Sequence, residues 1–556
     1  MFIKNTKFKI FDSDALKNFH KRIFLSIIIF LFCYFVAIFR IAEVMIFDID
    51  SNLDFKNIVN YERGKIYDRN GHLLSTNIKS FSLYANPLNI KNKNFLSKKL
   101  SLILNKDYEE INSKLNSEKK FVFLKRNISP QEHQKIIDLG EINIQTLIEK
   151  KRIYPYQNAI SHLVGYVNID NLGQAGIERS FEEQLSKDVD VHLTIDINLQ
   201  NAIRQELINT ISKFSADSGS SIVLNIKSGE ILSLNNYPDF NPNEIKDVNQ
   251  NNLLNRALQS NYEMGSTFKP FTIAMAIDQN LINKKMLFDV SKPIKNRIHD
   301  FHPYNGKLSI KDIIVKSSNI GTAKIAEKVG KKIQIDFFKK LGFYNRVDIE
   351  LDEAALPLGN QNNWGPLETM TIGYGYGFAI TPLHLANAYS SMLNNGKKNK
   401  IKLILNKDKK KIYDLEKNQI IKKETSNYIK KLLRAVVVET DYTGPRVKVE
   451  GYYIGGKTGT AELLNKFGKY NKNANRTLFV GAFPMMDPEY LILTIIDNPK
   501  KIKKENYSIT GATVNAPLVK EIILRMIEIL NIPRKNREIL NADITTDYEL
   551  NSNVFN

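Results

Sequence analysis

A charge-free apolar run, Ile23 to Phe39 (IFLSIIIFLFCYFVAIF), divides this chain before any other feature is weighed. As a helix it reaches about 26 Å, near the least that crosses a bilayer. Lys4, Lys7, Lys9, Lys17, Lys21 and Arg22 precede it, whereas Glu43, Asp48, Asp50 and Asp54 follow Arg40. Positive charge stays on the cytoplasmic side, so the N-terminus is expected inside and everything after about residue 45 outside. A cleaved signal peptide is the other reading, but no small-x-small site follows the run, and an uncleaved anchor is expected. The single cysteine, Cys33, lies within the run. The exported part then has no disulfide, no thiolate nucleophile and no cysteine metal site, which brings serine chemistry forward.

A chain of 556 residues is too long for one ordinary domain, and two or three are expected. The net charge of +20 raises nucleic acid as a partner. The basic residues are spread along the whole chain instead of clustering, so no nucleic-acid partner is expected. Residues 50 to about 190 alternate short strand-like runs with polar connections, and Asn70-Gly71 between two of them signals a hairpin turn. Helical spacing appears at SKKLSLILN and PQEHQKIIDLG. At VHLTIDINLQNAIRQELINTI (191 to 211) a strand runs into a long amphipathic helix, followed by two strands joined at Lys227-Ser228-Gly229. Helices dominate until about 395. Strands return at VKVEGYYIGGKTG, RTLFVGAFP and EYLILTIID, and Pro517 to Leu530 reads as a helix with proline in its first turn. Strands bracketing helices predict one mixed α/β domain whose sheet joins distant segments. The lysine run Lys407 to Lys411 reads as a solvated loop.

Within the helical region, YEMGSTFKPFTIAMAI (262 to 277) sets Lys269 among Phe268, Phe271, Ile273 and Met275. An unpaired ammonium is costly to desolvate, so a lysine there needs a reason. Ser266, three residues earlier, shares its helix face. Burial lowers a lysine pKa, and a neutral amine beside a serine hydroxyl is a general base beside a nucleophile. Ser-x-x-Lys alone is weak, since Ser117 to Lys120 also fits. The ordered set is specific: Ser266-Thr267-Phe268-Lys269 opening a helix, Ser317-Ser318-Asn319 in a polar loop between helices, and Lys457-Thr458-Gly459 ending a strand. It matches the Ser-x-x-Lys, Ser-Asp-Asn and Lys-Thr-Gly constellation of serine β-lactamases and penicillin-binding proteins. A peptide can add to the edge of the third strand, Gly459 leaving room for it, with Lys457, Thr458 and Thr460 able to hold a C-terminal carboxylate. His299, Asp300 and His302 (HDFH) have no further histidine or cysteine nearby, so a loop and not a metal site is expected. Trp364, Tyr374, Tyr376 and Phe378 read as cleft wall and core. No metal and no cofactor is called for.

The resemblance runs over nearly the whole chain. RGKIYDRNGHLL (63 to 74), RIYPYQNAISHLVGYVNIDNLGQAGIERSFEEQL (152 to 185), NRALQSNYEMGSTFKP (255 to 270), GYGFAITPLHLANAY (375 to 389) and TGPRVKVEGYYIGGKTGTAE (443 to 462) resemble segments of class B penicillin-binding proteins. HLVGYVNIDNLGQAGIE and HPYNGKLSIKDIIVKSSNIGTAKIAEKVG resemble the division-specific FtsI type more closely than its elongation-specific relatives, though the motifs are common to both. Met264 stands where a proline is usual and His384 where a glutamine is usual. The resemblance implies a cytoplasmic N-terminus (1–22), a transmembrane anchor (23–45) and an elongated α+β pedestal (46–190). A mixed α/β transpeptidase domain of serine β-lactamase-like fold (191–535) and a C-terminal tail (536–556) complete it.

It further implies Ser266 as nucleophile, Lys269 as base, and Ser317 as the proton carrier to the leaving nitrogen. Asn319 would orient Lys269 and the substrate amide, and Lys457 would complete the catalytic set. Thr458, Gly459 and Thr460 would bind substrate, and the N–H groups of Ser266 and Thr460 would form the oxyanion hole. The implied reaction is D,D-transpeptidation of peptidoglycan stem peptides ending in D-Ala-D-Ala, with a carboxypeptidase side reaction and β-lactams as inhibitors. The implied partners are a membrane-embedded SEDS-type glycosyltransferase and other divisome proteins, at the septum of the bacterial inner membrane. A membrane-anchored β-lactamase or β-lactam sensor shares the three elements but has no use for a pedestal. A non-catalytic division scaffold has no need of an intact catalytic set.

Overall fold

The computed structural model describes residues 13–47, 62–359, 364–405, 418–464, 469–502 and 508–534. Lys4, Lys7, Lys9, Asp48, Asp50, Asp54, the run Lys407 to Lys411 and the tail 536–556 lie outside the described residues. Helix α1 (Ser13–Phe47) contains the apolar run, and its stretch His20–Arg40 has a mean hydropathy of 2.6 with none of it buried in protein. Beyond it the chain forms two compact units, one holding residues 79–150 and the other residues 63–78 together with 151 onward.

Strand β1 (Ile66–Tyr67) pairs antiparallel with β2 (Leu73–Ala85) across the expected Asn70-Gly71 turn. Asp68 Oδ1 accepts the N–H groups of Asn70 at 2.8 Å and His72 at 2.7 Å, and Gly71 takes a φ of +86° that a side chain would disfavour. In the first unit, helices α2 (Lys93–Leu104) and α3 (Tyr108–Leu115) bury Leu96, Leu100, Ile111 and Leu115 against Leu83, Leu124 and Ile128. The last two lie on β3 (Val122–Ile128), antiparallel to β2. Helix α4 (Pro130–Ile137) starts at a capping box in which Ser129 and Glu132 satisfy each other's backbone N–H, and β4 (Ile144–Ile153) pairs with β2.

Residues 63–78 and 151–190, grouped from the sequence with the pedestal, make their contacts in the second unit. The reason is electrostatic as much as apolar. Buried Arg63 and Arg152 both donate Nε to Glu178, each at 2.7 Å, and Ser75 adds a bond at 3.0 Å. Strand β5 (Val191–His192) then runs parallel to β1.

Helix α5 (Ile197–Lys213) is capped by Asp196, whose carboxylate accepts the N–H of Asn198 and Leu199. Strands β6 (Ser218–Asn225) and β7 (Ile231–Tyr237) form the expected hairpin, with Gly229 at φ +74°. The short strand β8 (Tyr262–Glu263) leads into a 3₁₀ turn, Gly265–Phe268, and helix α6 (Lys269–Asp278). The helical region continues with α7 (Ile310–Val315), α8 (Asn319–Leu341) and α9 (Pro366–Gly373). Strand β9 (Ala379–Ile380) pairs with β8, and α10 (Pro382–Leu393) and α11 (Lys423–Val438) follow.

The closing strands are β10 (Gly455–Leu464), β11 (Tyr470–Phe483) and β12 (Tyr490–Asp497), before helix α12 (Gly511–Ile529). The second unit's main sheet has five strands in the order β10-β11-β12-β6-β7, antiparallel throughout. Residues 490–497 thus pair with 218–225, joining distant segments as the sequence predicts. Alternation along the strands serves both faces: Val223 and Ile492 meet α5 and α12, while Ile222, Leu224 and Leu493 face the core shared with α6 and α10.

Two expectations are corrected here. Strand β10 begins only at Gly455, because Gly444-Pro445 opens a short helical turn and Gly451 sits at φ +87°; the Lys-Thr-Gly triplet is therefore near the start of the strand, not at its end. Helix α12 starts at Gly511, two turns before Pro517, which lies inside the helix. Proline removes one bond there, and the burial of Val514, Leu518, Val519 and Ile522 carries the helix across it.

Candidate active site

The turn that carries Ser266 is fixed from several sides. Gly265 has φ +50° and its N–H donates to Gly375 O at 3.1 Å; a Cβ there would lie 2.9 Å from Thr460 O. Only glycine meets both demands, and the turn is thereby pressed against β10. Thr267 Oγ1 donates to Met264 O and the buried Tyr389 hydroxyl donates to Thr267 O, both at 2.7 Å. Phe268 packs against Phe271, Phe338 and Phe343. In a 3₁₀ turn, side chains three apart eclipse, so Ser266 and Lys269 project the same way.

Lys269 is fully buried, and its Nζ donates to the Ser317 carbonyl and, at 3.0 Å, to Ser317 Oγ. Lys457, 1% exposed, donates to the same Oγ at 3.1 Å and to Thr458 O at 3.2 Å. One hydroxyl thus sits between two buried amines, one 48 residues before it in the chain and the other 140 after it. Burial pushes the Lys269 pKa well below the usual lysine range, the charge of Lys457 adds to this, and Asp300 works the other way. Burial pushes Lys457 down to about 7.

Ser317-Ser318-Asn319 joins α7 to α8, as expected for the polar loop. Ser317 takes φ +57°, in the left-handed region, which costs a non-glycine residue on the order of 1 kcal/mol or more. Ser318 is the N-cap of α8, its Oγ accepting the Gly321 N–H at 2.9 Å. The Asn319 amide donates to His299 O at 2.9 Å, while the hydrogen bonds of Lys269 go to Ser317.

The third element lies on the edge strand of the sheet, where a peptide backbone can add. Lys457 and Gly459 are buried, while Thr458 and Thr460, sharing a face, are half-buried. A Cβ on Gly459 would meet the Leu478 side chain at 2.8 Å and Met264 O at 3.0 Å. The glycine therefore clears space for the protein's own turn before Ser266. Thr460 Oγ1 accepts the Gly511 N–H at 3.3 Å, which ties β10 to the start of α12.

Two contributors escaped the sequence reading. Tyr389, on α10, lies outside all three motifs, yet its hydroxyl braces the turn that carries Ser266. Asp300 was weighed only as part of HDFH, yet it bonds the residues that follow Ser317. Trp364 and Phe378 are buried with Phe338 in the aromatic core, and Tyr376 packs against Tyr470. His384 is buried, with Nδ1 at 2.7 Å from Thr381 Oγ1 and Nε2 at 2.9 Å from Asn345 O. Met264 is buried and supplies the carbonyl that Thr267 uses.

A turn carrying Ser266, a serine bridging two lysines and an edge strand bring together the three motifs of the penicillin-interacting type, and comparison with known proteins points to the same family. Residues 219–524 match the penicillin-binding protein transpeptidase domain and residues 58–224 the penicillin-binding protein dimerisation domain. The chain belongs to the penicillin-binding proteins, with the class B architecture, and is a peptidoglycan D,D-transpeptidase.

Among its relatives is the probable peptidoglycan D,D-transpeptidase FtsI of Caulobacter vibrioides, 30% identical over 499 residues, covering 86% of this chain and 83% of that one. Stage V sporulation protein D of Bacillus subtilis is 31% identical over 524 residues, covering 86% and 80%. A peptidoglycan synthetase from Bifidobacterium adolescentis shares the fold, with a TM-score of 0.67 at 20% identity, covering 86% of this chain and 97% of that one.

Proposed function

We propose that this transpeptidase cross-links stem peptides during septal wall synthesis, through an acyl-enzyme on Ser266. Lys269, neutral in its buried setting, takes the Ser266 proton as Oγ attacks the carbonyl of the penultimate D-Ala. The N–H groups of Ser266 and Thr460 receive the oxyanion. Ser317, between the two lysines, passes a proton to the nitrogen of the departing D-Ala. An amine of a neighbouring stem then attacks the ester, forms the cross-link and frees Ser266. Asn319 faces the substrate amide, and Lys457, Thr458 and Gly459 receive the donor strand and its carboxylate.

The observation that carries this reading is the Ser317 hydroxyl held 3.0 Å from Lys269 and 3.1 Å from Lys457. Such a bridge gives a proton a path between base and leaving group without either lysine side chain having to move. The septal assignment rests on the FtsI-like segments around residues 162–178 and 302–330, and on relatives that carry the FtsI name. A relative named for sporulation covers the same 86% of this chain. The apolar helix His20–Arg40 fits a single-pass anchor in the inner membrane, N-terminus inside. It would present the enzyme to a SEDS-type glycosyltransferase and other divisome proteins.

A fluorescent penicillin should label the protein covalently at Ser266, since a β-lactam mimics the D-Ala-D-Ala terminus and its acyl-enzyme persists. A Ser266→Ala protein that labels normally would refute the mechanism. A fluorescent fusion confined to the side walls of dividing cells would refute the septal role.

A further inference from the structure

We propose that Asp300 is a positioning residue of the acyl-transfer site, clamping the start of α8 so that Ser317 is held left-handed with its hydroxyl between Lys269 and Lys457. Nothing in the three motifs assigns it a part. One carboxylate oxygen accepts the Ser318 hydroxyl at 2.8 Å and the other accepts the Ile320 N–H at 3.0 Å. The neighbouring His299 carbonyl accepts the Asn319 amide at 2.9 Å. Residues 299 and 300 therefore bond to all three residues that follow Ser317, two of them within the second motif.

The bonds matter because of what they brace. Ser317 is a non-glycine residue at φ +57°, and an isolated loop would relax from that conformation. Ser318, fully buried, uses its hydroxyl twice: it donates to Asp300 and accepts from Gly321, so the cap and the clamp share one oxygen. In the Ser-Asp-Asn form of this motif a carboxylate occupies the middle position. Here the middle residue is Ser318, and Asp300 brings the carboxylate from a separate segment.

The clamp also has an electrostatic side. The charged groups facing Lys269 are Lys457 from β10 and Asp300 from the loop, and they act on it in opposite senses. Tyr304 also faces Asp300; burial, and next the aspartate's charge, raise its pKa. Loss of the Asp300 charge therefore leaves Lys269 easier to deprotonate, while loss of its bonds frees Ser317 to move.

This inference rests on Ser266, Lys269 and Ser317 forming the acyl-transfer site, and the experiment separates the two. The rate of acylation by a fluorescent penicillin is measured across pH for the full-length parent, Ser266→Ala, Asp300→Ala and Asp300→Asn, with thermal midpoints alongside. Asp300→Ala should acylate on the order of 10²-fold more slowly, the scale at which small misplacements act. Asp300→Asn, which keeps the shape and one acceptor, should keep more of the rate, with the acidic limb of its profile moved to lower pH. If Ser266→Ala labels normally, the site reading itself fails. If Ser266→Ala is dead but both Asp300 variants keep the parental rate and limb, the aspartate is merely structural and the proposal falls, however far the midpoints drop. An unmoved limb in both variants overturns it equally, even where Asp300→Ala is slow.

Discussion

Two clusters of buried cations in the second unit are treated oppositely. Around Glu178, Arg63 and Arg152 are both buried and both paired, and Arg63 reaches on to Glu182 with two further bonds at 2.8 and 2.9 Å. Burial works against the Arg63 charge, but its bond to Glu182 and the attraction of Glu178 outweigh it and hold its pKa above the ordinary value. Lys269 and Lys457 are as deeply buried, yet among the described residues neither forms an ion pair; they share a serine hydroxyl instead. The first cluster keeps its charge and organises structure. Burial pushes the second toward the neutral form, the state the proposed mechanism uses. Burial alone marks neither role; the partner decides.

The sharpest way to break this contrast is Glu178→Ala. It leaves Arg152 without its carboxylate and should destabilise the protein by about 3–5 kcal/mol, the usual result of stranding a buried charge. Penicillin acylation by the fraction that remains folded should stay near the parental rate. A chemical-denaturation curve unchanged from the parent would show that the cluster is not structural.

Lys269 is the converse test. Lys269→Arg retains a charge that cannot be lost and should slow acylation by about 10²-fold or more, as when a general base is removed. Lys269→Met suits the apolar surroundings and should match the parental thermal midpoint while being equally inactive. Near-parental acylation by Lys269→Arg would mean that the lysine is not the base.

The smallest effect concerns His384, a buried base outside both clusters. Burial pushes its pKa down to about 4, against the pull of the Asn345 carbonyl. The unfolded imidazole protonates near pH 6.5, so its contribution to stability is intact above that pH and is lost as pH falls toward 4. His384→Gln should flatten the acid side of the stability profile by up to about 1.4 kcal/mol per pH unit, one proton's worth. His162, also pushed to about 4 by burial, remains and keeps part of the slope. An unchanged slope between pH 6.5 and 4.5 would place the acid sensitivity elsewhere.

Much of the molecule was legible because its signals are local. The apolar run, the Asn70-Gly71 turn and the β6–β7 hairpin depend on residues within a few positions of one another. The three motifs were legible as an ordered set, and the misplaced apolar setting of Lys269 was readable from its own helix. Boundaries failed where tertiary packing overrode a local rule: Pro517 reads as a helix start, yet buried neighbours extend α12 to Gly511. The sequence shows Gly459 as room for substrate but not that a Cβ there would also meet Leu478 and Met264, contacts invisible along the chain.

By itself the sequence determined which groups are available: a membrane-length helix, a serine three residues before a lysine in apolar company, and an edge-forming strand with a lysine and glycines. Only the tertiary structure decided what each meets. Lys457 is 140 residues from Ser317 and Asp300 is 18 from Ser318, distances along the chain that carry no geometric information. Whether a buried lysine keeps its proton depends on the few groups within reach of its nitrogen, and the fold alone chooses those.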